Sequence, residues 1–242
     1  MKFQHSKLRI ELSSLGGLFF IMLVCCGQPQ PNNQSQTLPP EGTPAPVTRT
    51  VSEKKIVFFG NSLTAGYGLD EHESFPSLIQ QRLDSLNLKY EVVNAGLSGE
   101  TSAGGLSRID WTLNQQVDIF VLELGANDVL RGLDLKSTKQ NLQGIIDQVR
   151  QKDESITIIL AGMKAPPNMG SEYAVAFEKI YIELSEENKI PLIPFLLENV
   201  GGIPALNIED GKHPNAAGQK IVANNVWQVL GPLVGGNQMK GN

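Results

Sequence analysis

Cysteine is nearly missing from this chain: the 242 residues hold two, Cys25 and Cys26, side by side near the N-terminus. Everything after them lacks thiols, which excludes a disulfide framework, a cysteine nucleophile and a thiolate zinc site there. Histidine is almost as sparse, with His5, His72 and His213. With His5 in the leader described below, His-dependent chemistry must use one of the other two. No Lys/Arg block occurs, and the net charge is −5 with a pI of 5.3, so the basic footprint that holds phosphate backbones is missing. Nucleic acid is therefore not an expected partner. The apolar run Leu15–Val24 is ten residues long, against the roughly 20 that a spanning helix needs. What is present is ordinary for a globular protein: 40% hydrophobic and 19% charged residues, enough for a real core.

The short apolar run follows Lys2, Lys7 and Arg9, the basic-then-apolar order of a secretory signal. It ends in Cys25-Cys26-Gly27, which resembles the lipobox of bacterial lipoproteins, with Val24 or Cys25 where a small residue usually precedes the lipidated cysteine. A lipoprotein-type signal over 1–26 is the first reading, plain secretion the second, and two free cysteines in an uncleaved leader the third. Residues 27–52 hold six of the 14 prolines and four glutamines, the composition of a linker able to hold a domain off a membrane. The expected protein is thus exported to the cell envelope or periplasm and attached to a membrane by a lipid at Cys25 or Cys26. Residues 53–235 are expected to form one domain and 236–242 a tail.

Within that domain, apolar runs at Ile56–Phe59, Tyr90–Val93, Ile119–Leu124, Ile156–Ala161 and Leu192–Ile193 read as buried strands. Helical stripes lie between and after them: Ile79, Leu83 and Leu86; Leu142, Ile145, Ile146 and Val149; Phe177, Ile180, Tyr181 and Leu184; Val222, Val226 and Val229. Strands alternating with helices predict an α/β fold with a parallel sheet covered on both faces. Ligands in such sheets sit beyond the carboxyl ends of the strands. Those ends carry Gly60-Asn61-Ser62, Asn94-Ala95-Gly96, Gly125-Ala126-Asn127-Asp128 and, before the final helix, Asp210-Gly211-Lys212-His213.

A neutral serine is a weak nucleophile and needs a base, which in turn needs an orienting acceptor. Ser62, His213 and Asp210 can supply these roles, and the Ser62 N–H, Gly96 N–H and Asn127 amide can donate to an oxyanion. Taken singly, each has a plainer explanation: a turn or cap for Ser62, a turn for Gly96, a strand end for Asn127 and Asp128, an exposed loop for His213, an N-cap for Asp210. Their meeting at one sheet edge favours catalysis.

These four segments resemble the four blocks of the SGNH, or GDSL-type, hydrolases, with Ser62, Gly96, Asn127 and the Asp210-x-x-His213 pair on the name-giving positions. Gly60-Asn-Ser-Leu-Thr-Ala-Gly-Tyr-Gly, Ser98-Gly-Glu-Thr-Ser and Glu123-Leu-Gly-Ala-Asn-Asp-Val-Leu-Arg-Gly look like the branch of the periplasmic thioesterase/lysophospholipase and arylesterases. Asn61 departs from the motif's Asp. The resemblance spans roughly residues 54–231 and implies a flavodoxin-like three-layer sandwich without metal or organic cofactor. It also implies a serine esterase acting through an acyl-enzyme on small-molecule or lipid esters and thioesters. A carbohydrate O-acetylesterase is the alternative, and a catalytically idle envelope-binding module a more distant one.

Other features point less far. Gly66-x-Gly68 reads as an active-site loop, since Glu71 stands where a dinucleotide loop needs its third glycine. Glu123 in an apolar strand reads as a paired structural carboxylate, His72 as a solvated loop residue, and Trp111 and Trp227 as packing residues. By the same resemblance the loop Met163–Gly170 corresponds to a segment that borders the acyl pocket, where Met163 and Met169 could touch an apolar chain; ordinary loop packing is the alternative.

Overall fold

The computed structural model describes residues 54–235. The leader, the linker and the expected tail lie outside the described residues. Five parallel strands form one sheet in the order β2-β1-β3-β4-β5: β1 Lys54–Gly60, β2 Tyr90–Gly96, β3 Ile119–Glu123, β4 Thr157–Ala161 and β5 Leu192–Ile193. Each predicted strand is found, and β3 is buried along its whole length, as parallel strands covered on both faces must be. The helices are α1 Ser62–Ala65, α2 Phe75–Ser85, α3 Ser102–Thr112, α4 Ala126–Leu130, α5 Leu135–Lys152, α6 Ser171–Asn188 and α7 Ala216–Val234.

Helices α2 and α7 pack on each other, while α3, α5 and α6 lie side by side. Right-handed crossovers account for this division, because travel across the sheet reverses after β2 and sends the later helices to the other face. Adjacent residues of β1 show the two layers: Phe58 meets Phe75 of α2 edge-on at 5.4 Å, and Phe59 meets Phe120 of β3 at 5.4 Å. The α5 stripe Leu142, Ile145, Ile146 and Val149 is fully buried, and each such side chain contributes about 1.5–3 kcal/mol. The one misplaced stripe residue is Leu86, which is 49% exposed. It falls at the C-cap of α2, where the chain leaves the helix and the periodicity no longer aims it inward.

The sheet order reverses direction between β1 and β3, and in open sheets of this kind the carboxyl ends at such a reversal are where ligands bind. Ser62 lies two residues after β1 and Asn127 four residues after β3, so the two flank that point. Among the described residues no helix is long and apolar enough to cross a membrane.

Candidate active site

Ser62 is the first residue of α1, and its capping residue is Asn61, whose Oδ1 accepts the Leu63 N–H at 2.9 Å. The serine hydroxyl is thus not spent on the cap. It lies 2.8 Å from His213 Nε2, and His213 Nδ1 is hydrogen-bonded to Asp210 Oδ2. The remote pair comes from a tight loop in which Ile208 N–H donates to His213 C=O at 2.8 Å and Asn207 pairs with Pro214. Asp210 Oδ1 closes that loop by accepting the Lys212 and His213 N–H groups at 2.8 and 3.0 Å. The helix behind is capped by Asn215, not Asp210, with Oδ1 accepting from Ala217 and Gly218. Partial burial pushes the Asp210 carboxyl up, but the His213 hydrogen bond, the two backbone N–H groups and the imidazolium charge outweigh it and bring the carboxyl to about 2. It is ionised at neutral pH and holds Nδ1 as a donor, which leaves Nε2 free to accept a proton.

The expected oxyanion donors are held in place by different means. As the first helical residue, Ser62 has an N–H with no intrahelical acceptor. Gly96 lies opposite Gly60 in the β1–β2 register, and a Cβ there would sit 2.3 Å from Ala65 N and 2.8 Å from Ala65 Cα. Only glycine lets β2 approach α1 this closely. Its N–H is bonded to Asn94 Oδ1 at 3.0 Å in this structure, which the motif alone did not suggest. The Asn127 amide donates to Glu100 C=O at 2.9 Å and has a second hydrogen to offer.

Several neighbours escaped the sequence reading. The Tyr67 ring lies 4.7 Å from the His213 ring and is 51% exposed, so it shields one face of the imidazole. Arg108 of α3 donates to Ala95 C=O at 2.8 Å and Gly60 C=O at 3.3 Å, tying together the ends of β1 and β2, while Glu100 neutralises it. Nothing in a lone arginine on a helix announces such a clamp. Glu123 is buried as expected, yet its partners are hydrogen-bond donors and not a cation. Burial is the largest influence on it and lifts its carboxyl from 4.5 to about 7 against the opposing hydrogen bonds. Trp227 packs beneath Arg82, 4.5 Å from ring centre to guanidinium, but Trp111 is 76% exposed and is no core residue, because it points away from the sheet on α3. Met163 is buried, which makes it a packing residue, and His72 is exposed.

The four segments and their hydrogen-bonded serine, histidine and aspartate meet their counterpart in known sequences. The profile of the GDSL-like Lipase/Acylhydrolase family matches residues 58–221. The chain belongs to that family. Among its GDSL-like relatives, Esterase TesA of Pseudomonas aeruginosa is 38% identical over 189 residues, covering 78% of this chain and 93% of the relative. Thioesterase 1/protease 1/lysophospholipase L1 of Escherichia coli is 37% identical over 187 residues, covering 77% and 88%. The crystal structure of TesA superposes with a TM-score of 0.71 at 38% identity over 74% of this chain and 99% of that one. This chain and the TesA structure thus share the α/β three-layer architecture, a parallel sheet between two layers of helices.

Proposed function

We propose that this chain is a serine ester hydrolase in which Ser62 is the nucleophile, His213 the base and Asp210 its orienter. The observation that carries this reading is the 2.8 Å contact between Ser62 Oγ and His213 Nε2, with Asp210 bound behind the ring. His213 Nε2 takes the hydroxyl proton as Oγ attacks the acyl carbon, and the carbonyl electrons move onto oxygen. That oxyanion is met by the Ser62 N–H, the Asn127 amide and, once Asn94 yields, the Gly96 N–H. Collapse passes the proton from Nε2 to the departing alkoxide or thiolate and leaves the acyl group on Oγ. Water then repeats the sequence, giving its proton to His213 and releasing the acid.

The substrates are carboxylic esters or thioesters with an apolar acyl or aryl part. Tyr67, Leu97 and Leu130 support this, since all three are about half exposed on loops or helices that leave the same sheet edge. A series of p-nitrophenyl esters and acyl thioesters, run beside a lysophospholipid and acetylated xylan, is expected to show turnover that rises as the acyl chain lengthens beyond acetyl. Preference for acetylated glycan would favour the O-acetylesterase instead. A phosphonate ester probe should add its phosphonyl group at Ser62 alone, as read by peptide mass spectrometry. Labelling elsewhere, with Ser62 unmodified, would remove the assignment.

We also propose export and a lipid anchor at Cys25 or Cys26, on the strength of the basic-then-apolar leader and the Pro/Gln-rich segment after it. The mature protein should incorporate a palmitate analogue and enter the detergent phase. Recovery of unmodified protein, cleaved elsewhere and free of membranes, would contradict this.

A further inference from the structure

Glu123 ends β3 directly opposite Gly60, the last residue of β1, and so meets the turn that carries Ser62 from below. Its Oε2 accepts the Asn61 N–H at 3.0 Å and the Thr64 hydroxyl at 2.8 Å, and its Oε1 accepts the Asn61 side-chain amide at 2.7 Å. A Cβ on residue 60 would fall 2.5 Å from Glu123 Oε2 and 2.2 Å from Thr64 Oγ1, so glycine leaves room for the carboxylate. One buried acid thus fixes the residues immediately before and two after the serine. Asn61 serves two masters here. Its Oδ1 must accept the Leu63 N–H, and its other side-chain atom must donate to Glu123, a pairing that only an amide achieves without borrowing a proton.

We propose that Glu123 is a positioning residue for Ser62 and that the amide at position 61 frees the nucleophile turn from any shared proton, keeping its shape into alkaline solution. This rests on the reading of Ser62 as nucleophile. An Asp at 61, as in the name-giving motif, would set a second carboxylate against Oε1 in a buried site. Two carboxylates so placed cannot both ionise, and one holds its proton to higher pH. The other charged or titratable groups around the turn do not relieve this. Tyr181 reaches in from α6 with its hydroxyl on Leu124 C=O, its ionisation suppressed by burial and by the Glu123 and Asp128 charges. Asp128 of α4 is bound by Ser102 and Thr138, Arg108 of α3 is occupied by Glu100 and two carbonyls, and Asp210 and His213 face Ser62 from the loop before α7. Among the described residues no cation pairs with Glu123.

The test compares kcat/KM of Asn61→Asp with the parent chain as a ratio across pH 8 to 10, which cancels the titration of the shared base and lies above that of the parent's own Glu123, whose carboxyl stands at about 7. The ratio should fall by about tenfold per pH unit once the shared proton leaves. Asn61→Asp/Glu123→Gln reverses the direction of one hydrogen bond and needs no proton, so its ratio should be flat. Thermal melts give a readout independent of catalysis. A carboxyl whose folded pKa is raised contributes stability at low pH that is lost as pH rises toward that pKa, so Asn61→Asp should melt progressively lower than the parent as pH rises, and the double variant should not. A flat ratio and parallel melts for Asn61→Asp would overturn the proposal, as would failure of Glu123→Gln to restore the pair. Neither result touches the role of Ser62, which depends on activity at a single neutral pH.

Discussion

Replacing Ser62 by alanine should lower kcat for a simple aryl ester by on the order of 10⁶, leaving only what binding and the oxyanion donors supply. The folded state should hardly notice. The cap on α1 belongs to Asn61, and the turn is fixed by Glu123, so the lost hydroxyl gives up one hydrogen bond to a partly exposed imidazole and a long one, 3.4 Å, to Asn61 Oδ1. Such a bond contributes about 0.5–1.5 kcal/mol, a shift in melting temperature of a few degrees for a domain of this size. Activity and stability are therefore expected to part company, and circular dichroism melts beside initial rates will show it. Turnover near that of the parent in a folded Ser62→Ala protein would end the proposed mechanism. Loss of activity together with a collapse in melting temperature would instead place Ser62 among the structural residues of the turn.

Much of this site was legible in the chain because its signals are local. Short apolar runs separated by helical stripes announce a parallel sheet, and a parallel sheet announces where a ligand sits. Asp210 and His213 are three residues apart on one loop, and Ser62 lies two residues past the end of a strand, so their positions at the sheet edge could be read before their contacts were seen. What stayed hidden depends on residues distant in sequence. Arg108 reaches Gly60 C=O across 48 positions, and Glu123 reaches Asn61 across 62. No spacing rule links such pairs. Glu123 reads as an oddity in an apolar strand until Asn61 and Thr64 are seen to surround it, and Asn61 reads as a lapse from a motif until its amide is seen to face a carboxylate. Leu86 and Trp111 failed for a simpler reason: periodicity continues on paper past the point where a helix ends, and it does not say how wide the buried face is.

Asp210→Asn should cost about 10⁴ in kcat while the loop keeps its shape. An Asn at 210 retains an oxygen for the Lys212 and His213 N–H groups that Asp210 now accepts, so the turn survives. Its amide, however, presents hydrogens to His213 Nδ1 where a carboxylate presented lone pairs. The imidazole answers by moving its proton to Nε2, and a protonated Nε2 cannot receive the proton of Ser62. The loss is thus one of tautomer, not of architecture, and Asp210→Ala, which also removes the loop's acceptor, should lower the melting temperature further than Asp210→Asn. Acid supplies a second check. Because the Asp210 carboxyl stands at about 2 against an ordinary 3.8, the stability it contributes is complete above the higher value and is lost as pH falls toward the lower. Asp210→Asn should therefore flatten the acid limb of a melting-temperature profile in that window. His72→Gln provides the control, since His72 lies exposed on a short turn before α2 and has no part in the proposed relay. Should His72→Gln reproduce the loss while Asp210→Asn stays within tenfold of the parent, the base must be sought away from the Asp210 loop.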